Sequence, residues 1–261
     1  MKENNPDRVI YLADARQSMH FIQVFRCARK TGIVPDTTEL VHIGFGTMNG
    51  KDGKPFKTRD GGVMRLEYLL KEIDDEMLNK IKENQKEKEN LNIDEAEAKQ
   101  TAKTVALAAV KYGDLSNQAS KDYIFDIDRF TSFEGNTGPY ILYTIVRIKS
   151  ILSKYEAKGG DISALKDAIM PAVNAGQKNL MLSLAKFNAT IESAYEESAP
   201  HKICAYIYEL ANAFNGFYHD TKILSEENEE LKKSYISLLV LTKEILEACI
   251  DMLGFSAPDR M

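Results

Sequence analysis

Three basic side chains in a glycine-rich loop, Lys54, Lys57 and Arg59, are suited to phosphate chemistry. They lie within residues 46–62. Cationic side chains on such a loop can follow a triphosphate through a reaction and stabilise the charge that develops. The stretch has no Walker A pattern, and a solvated surface loop is the alternative interpretation.

A second candidate site is the polar group Asp14, Arg16 and Gln17, which follows the apolar residues 9–13. The apolar run predicts a short buried strand. Ligands of α/β sheets bind at the carboxyl ends of strands, so these polar side chains could contact a substrate. A helix cap with surface polar groups is the alternative, because Asp14 also suits an N-cap position.

Tyrosines form the third candidate group. Tyr140 and Tyr143 fall in one predicted helix, and Tyr206, Tyr208 and Tyr218 fall in a later one. If these rings are exposed, they can stack on the splayed bases of single-stranded RNA. Half-buried packing between helices is the alternative interpretation for tyrosines at this spacing.

Composition excludes several other classes of protein. A hydrophobic fraction of 44% and a charged fraction of 28% are typical of a globular chain, and a net charge of −5 argues against unspecific coating of nucleic acid. Three widely spaced cysteines and four histidines predict neither a disulfide framework nor a metal site. No long apolar run and no signal peptide are visible, so we expect no membrane span and a cytoplasmic location.

The N-terminal elements that must position Gln17 are predicted to be a strand over residues 9–13, a helix over residues 15–30 and a second strand over residues 40–45. This order implies a parallel βαβ unit. A single unit has open sheet edges and cannot cover both of its faces, so we expect it to be the end of a larger α/β domain. The exposed remnant also makes a dimer possible.

From residue 63 onward the sequence is predicted to be almost entirely helical. Apolar spacing predicts helices over residues 139–158 and 180–191, a helix that starts at Pro200, and a last helix with Ser225 as N-cap and Gly254 as its stop. The predicted domains are residues 1–75 as the remnant of an α/β domain with the basic loop, 76–137 as connecting helices and 138–261 as a helical bundle.

Four stretches, in this order along the chain, carry a resemblance to a known family. Together they resemble the C-terminal part of arginyl-tRNA synthetases, which are class I aminoacyl-tRNA synthetases. The stretches are residues 11–21 (YLADARQSMHF), residues 42–50 with 53–59 (GKPFKTR), residues 109–112 with 122–126 and 133–140 (FEGNTGPY), and residues 210–218 (LANAFNGFY) with 253–261.

The resemblance implies a mainly α fold, in which a helical anticodon-binding domain follows a small parallel βαβ remnant of a Rossmann-type catalytic domain. It implies an enzyme that activates arginine with ATP and transfers it to its tRNA. Gln17 matches a position that helps to bind arginine. Lys57 and Arg59 match the loop that serves the ATP phosphates, with Mg²⁺ arriving as part of the ATP complex and without dedicated protein ligands.

The resemblance also implies that Tyr140, Tyr143, Tyr218 and Met261 face the anticodon loop. The expected partners of the whole enzyme are therefore arginine, ATP and arginine tRNA. Relatives of this kind imply a monomeric parent protein.

Motifs that the family carries upstream of this sequence are missing from it, so we expect a fragment that neither activates arginine nor charges tRNA alone. Two alternatives stay open. The chain could be a stand-alone RNA-binding module, or a helical interaction scaffold without RNA binding. Only the scaffold predicts that tRNA affinity does not fall as the salt concentration rises.

Overall fold

The computed structural model describes residues 5–54, 65–87, 94–165 and 168–261. Contacts between Cα atoms divide the chain into two compact units. The first, called here the N-terminal unit, comprises residues 1–63 and 117–126, and the second, the helical unit, comprises residues 64–116 and 127–261. The domain limits expected at residues 75 and 137 stay predictions.

The N-terminal unit contains the expected βαβ arrangement. Strand β1 (Arg8–Asp14) leads through a 3-10 turn (Ala15–Gln17) into helix α1 (Ser18–Lys30), and strand β2 (Glu39–Phe45) follows. The two strands pair in parallel, with a register that runs from Arg8 opposite Glu39 to Asp14 opposite Phe45. The prediction of a parallel pair is confirmed; β1 is one residue longer than the predicted apolar run at each end, and β2 is one residue longer at its start.

A second parallel pair, which the sequence did not indicate, joins β3 (Met48–Asn49) to β4 (Tyr123–Ile124). The Thr47 backbone N–H donates to the Asp122 carboxylate over 2.6 Å and ties the two segments together. Gly46 permits this close approach, because a Cβ there would lie 2.4 Å from the carbonyl carbon of Lys121. The segment around residues 46–49 is thus held by a distant segment of the chain, residues 119–124.

Apolar side chains on β1 and α1 are poorly covered. Every residue of both elements is at least partly exposed, and Leu12 is 70% exposed. This is the apolar surface expected of a βαβ unit that stands alone.

The helical unit buries an apolar core between its long helices. Residues such as Ile145, Leu210 and Leu239 have no exposed surface. Within the described stretches, no helix is both long and apolar enough to cross a membrane. The helices are α2 (Leu66–Glu87), α3 (Glu95–Leu115), α4 (Ile127–Phe130), α5 (Gly138–Ala157), α6 (Ala175–Ala185), α7 (Phe187–Glu196), α8 (Pro200–Asp220) and α9 (Glu229–Met252).

Two local predictions in this unit were wrong. The helix predicted over residues 180–191 is two helices, α6 and α7, which meet at Lys186, where the backbone N–H bonds to the carbonyl of Ser183, three residues before it and not four. The N-cap of α9 is Asn228 and not Ser225: the Asn228 side chain accepts from the backbone N–H groups of Glu230 and Leu231. Gly254 ends α9 as predicted, with a positive φ of 80°.

Candidate nucleic-acid interface

Helix α5 carries Tyr140, Tyr143 and Arg147 on one face. Their spacing of three and seven residues places the side chains above one another along the helix. Thr137 fixes where the helix begins, because its hydroxyl accepts from the Tyr140 backbone N–H over 3.2 Å. Pro139 suits the first turn, where no intrahelical N–H bond is needed.

Helix α8 meets this face through two asparagines. The Arg147 guanidinium donates from Nη1 to the Asn215 Oδ1 over 2.6 Å, and the Asn215 Nδ2 donates to the Tyr140 hydroxyl over 2.9 Å. The Tyr140 hydroxyl in turn donates to Asn212 Oδ1 over 2.6 Å. Hydrogen bonds therefore link Tyr140 and Arg147 of α5 to Asn212 and Asn215 of α8.

Aromatic rings flank the guanidinium of Arg147. Its central carbon lies 4.7 Å from the centre of the Tyr143 ring and 5.4 Å from that of Tyr218, both within cation–π range. Tyr218 is 41% exposed, while Tyr140, Tyr143 and Arg147 are half-buried. Among the described residues no carboxylate pairs with Arg147, so the cluster presents a positive charge framed by rings. We call these residues, Tyr140, Tyr143, Arg147, Asn212, Asn215 and Tyr218, the α5–α8 cluster.

Two other tyrosines of the sequence-based group have different surroundings. Tyr208 packs edge-on against Tyr140, with ring centres 5.7 Å apart. For Tyr206 the packing alternative is the correct one: it is buried against Phe187, because its position on α8 faces the core. Burial raises the pKa of Tyr206, and its hydroxyl has no hydrogen-bond partner in the described parts of the chain.

Met261 ends a short C-terminal segment that ion pairs hold against the helices. Lys149 of α5 pairs with Asp259 over 3.3 Å, and Arg260 pairs with Glu97 of α3 over 2.7 Å. Met261 itself is partly exposed. The hydrogen bonds and ring contacts described for the α5–α8 cluster do not include it, so its predicted contact with RNA rests on the resemblance.

The second candidate group lies in the N-terminal unit, after β1. The Arg16 side chain donates to both oxygens of Asp14 over 2.9 and 2.6 Å, and its backbone N–H donates to the same carboxylate. These hydrogen bonds hold the pKa of Asp14 near 2. Asp14 and Arg16 thus occupy each other, whereas the exposed Gln17 makes no side-chain cap bond and presents its amide to solvent.

Lys57 and Arg59 lie outside the described residues, so their predicted role stays a prediction. In the ranges that are described, no three His, Cys, Asp or Glu side chains gather as a metal site would require.

Sequence reasoning missed Arg147, Asn212 and Asn215. Arg147 could have been found, because it lies one and two helical turns beyond Tyr143 and Tyr140 on the same face. Asn212 and Asn215 had a weaker signal. Their importance follows from the way in which α8 packs on α5, over a sequence separation of about 70 residues.

Comparisons with known proteins identify the family. Residues 1–127 match the catalytic domain of class I (R) tRNA synthetases, and residues 141–261 match the DALR anticodon binding domain. An arginine–tRNA ligase of Alkaliphilus oremlandii is 54% identical over 261 residues, which are 100% of this chain and 43% of that protein. One of Francisella tularensis is 43% identical over 262 residues, again 100% of this chain and 43% of the relative.

Solved structures show the same fold. The arginyl-tRNA synthetase of Plasmodium falciparum superposes with a TM-score of 0.80 at 27% identity, over 99% of this chain and 42% of that one. The Thermus thermophilus arginyl-tRNA synthetase has the same TM-score at 24% identity, over 98% of this chain and 41% of its own. The chain thus spans less than half the length of these relatives. It belongs to the arginyl-tRNA synthetase family and corresponds to the C-terminal part of its members, with the DALR anticodon-binding domain in residues 141–261.

Proposed function

We propose that this chain binds the anticodon loop of arginine tRNA through the α5–α8 cluster. The observation that carries the proposal is the guanidinium of Arg147, which lies between the rings of Tyr143 and Tyr218 without a carboxylate partner among the described residues. A guanidinium left unpaired in this way can donate to base edges or to phosphates. The exposed ring of Tyr218 can stack on an unpaired base.

The chemistry of the cluster fits RNA better than a protein partner. Unpaired bases offer both flat faces for aromatic rings and acceptor atoms for guanidinium donors. The chain as a whole is acidic, so its affinity must come from such local contacts and not from bulk attraction. The match to the DALR anticodon binding domain supports the same assignment.

We infer that the whole protein attaches arginine to its tRNA, as the names of its relatives indicate, and that it uses ATP to do so. In that enzyme Gln17 helps to bind arginine, and Lys57 and Arg59 serve the phosphates of the ATP–Mg²⁺ complex. We propose that this chain alone is inactive, because its βαβ pair supplies only two strands of a ligand-binding sheet edge. The enzyme is proposed to be cytoplasmic and monomeric.

Equilibrium binding tests the anticodon proposal. The 261-residue chain is titrated with arginine tRNA and with the same tRNA carrying a different central anticodon base, at low and moderate salt. We expect tighter binding to the native anticodon, and weaker binding to both tRNAs as salt rises. Equal affinity for the two tRNAs, or no salt-dependent binding, contradicts the proposal, and the absence of binding favours a helical scaffold.

Two tyrosine variants locate the binding surface. Tyr143→Ala should weaken binding by about tenfold, because a stacking or cation–π contact is worth roughly 1–3 kcal/mol. Tyr195→Ala, on the exposed surface of α7, is the matched control and should bind like the unaltered chain.

Arginine-dependent exchange of pyrophosphate with ATP tests the proposed inactivity of the chain, and measurable exchange would refute it.

A further inference from the structure

Asn215 lies at the centre of the α5–α8 cluster, and its amide has one orientation that satisfies its neighbours. The Arg147 guanidinium can only donate hydrogen bonds, so the amide oxygen of Asn215 must face it. The amide nitrogen then faces the hydroxyl oxygens of Tyr140, at 2.9 Å, and Thr144, at 3.4 Å. The usual ambiguity between the two ends of an amide is therefore resolved by the chemistry of Arg147.

The direction of the next bond follows from this orientation. Because the Tyr140 hydroxyl accepts from Asn215, its own proton is free to go to Asn212 Oδ1, 2.6 Å away. The bonds run in one direction, from Arg147 to Asn215, then Tyr140, then Asn212. The Tyr140 hydroxyl can offer a ligand a lone pair, whereas Arg147 can offer several N–H donors, since only Nη1 is hydrogen-bonded among the described residues.

We propose that Asn215 is a positioning residue for the recognition of an anticodon base. It fixes the plane of the Arg147 guanidinium and the direction of the Tyr140 hydroxyl at the same time. A base therefore meets donors and an acceptor in a set arrangement. The inference rests on the proposed anticodon binding and adds to it the residue that makes that binding selective.

Selectivity depends on this fixation for a physical reason. A mobile guanidinium can turn to any acceptor that a base or a phosphate presents, so it adds affinity without discrimination. A guanidinium held in one orientation reaches its acceptor only on a base with the matching edge. Fixing it before the ligand arrives also removes the entropy cost of ordering it during binding.

The test compares selectivity and not affinity alone. The 261-residue chain and its Asn215→Ala, Arg147→Ala and doubly substituted variants are titrated with arginine tRNA and with the tRNA altered at the central anticodon base. The readout is the ratio of the two dissociation constants. Asn215→Ala should lower this ratio by about tenfold, the effect expected for loss of a hydrogen bond to a charged group. Asn188→Ala, an exposed asparagine of α7, is the control and should keep the ratio.

The double substitution shows whether Asn215 acts through Arg147. If it does, Asn215→Ala lowers the ratio in the unaltered chain but leaves it nearly unchanged when Arg147 is already alanine. Additive effects would overturn the proposal, and so would an unchanged ratio in Asn215→Ala. Asn215→Leu keeps the bulk of the side chain without its hydrogen bonds, and retention of selectivity in this variant would also overturn it.

Failure of the proposed anticodon binding gives a different result from failure of the positioning role alone. If the unaltered chain shows no preference for the native anticodon, anticodon binding itself is wrong. The other result is that the unaltered chain shows the preference, and that Arg147→Ala lowers it while Asn215→Ala does not. In that case only the positioning role of Asn215 is wrong. Thermal unfolding of each variant by circular dichroism confirms that the compared proteins are folded.

Discussion

The two units of this chain differ most in how completely they cover their apolar side chains. In the N-terminal unit, β1 and α1 leave every residue at least partly exposed, whereas helices α5, α8 and α9 of the helical unit bury whole faces. A contiguous exposed apolar face marks a surface that binds another part of a protein. The helical unit therefore supplies its own core, whereas the N-terminal unit presents apolar surface suited to a partner.

The same difference appears in the two candidate sites. The Asp14–Arg16 pair joins residues two positions apart, and both partners belong to one short turn. The α5–α8 cluster joins Arg147 to Asn215 across 68 residues, and it depends on the packing of two long helices. Only the second arrangement can place ring, donor and acceptor groups against one ligand without help from another part of a protein.

Thiol reactivity is the measurement in which the two units should differ most. Cys27 on α1 is exposed, while Cys204 on α8 and Cys249 on α9 are buried. Burial raises the pKa of both buried thiols to about 12. Because only the thiolate reacts, the buried thiols should be labelled at least about a thousandfold more slowly than an exposed thiol at neutral pH.

A chromogenic disulfide reagent checks this in the folded chain. One thiol per chain should react quickly, and all three should react at once in strong denaturant, which serves as the control. Rapid reaction of two or three thiols under native conditions would contradict the burial of Cys204 and Cys249 in the helical unit.

Two leucine-to-alanine variants, one in each unit, should differ in their effect on the free energy of unfolding. Leu239→Ala, in the core of α9, should lower the free energy of unfolding by about 2–5 kcal/mol, because it leaves a cavity among packed side chains. Leu12→Ala, on the exposed face of β1, should change it by less than about 0.5 kcal/mol. Urea denaturation followed by circular dichroism measures both, and equal effects would contradict the difference in burial.

Sequence reasoning succeeded where a feature depends on neighbours in the chain. The apolar runs of residues 9–13 and 40–45 predicted β1, β2 and their parallel pairing. The sequence did not predict β3 and β4, because each strand has two residues and the partners lie 75 positions apart. No local pattern marks such a pair.

The candidate site shows the same limit. Ring chemistry can be read from residue type and drew attention to five tyrosines, of which the resemblance selected Tyr140, Tyr143 and Tyr218. Arg147 becomes important only when its helix face is known, and Asn215 only when the register of α8 against α5 is known. The choice between exposure and packing stayed open for Tyr206 for the same reason, since helical spacing alone does not show which face meets the core.

The loss of a helix cap gives the smallest expected change in the free energy of unfolding among these predictions. Asn228→Ala should lower the free energy of unfolding by about 1 kcal/mol, because two backbone N–H groups at the start of α9 lose their acceptor. Ser225→Ala, at the position that the sequence favoured, is the matched control and should have little effect. Asp14→Ala in the N-terminal unit should have a smaller effect than Asn228→Ala, since Asp14 caps only a three-residue turn. If Ser225→Ala destabilises the chain as much as Asn228→Ala does, α9 begins earlier in solution, and the start of this helix is set by local sequence and not by the packing of the helical unit.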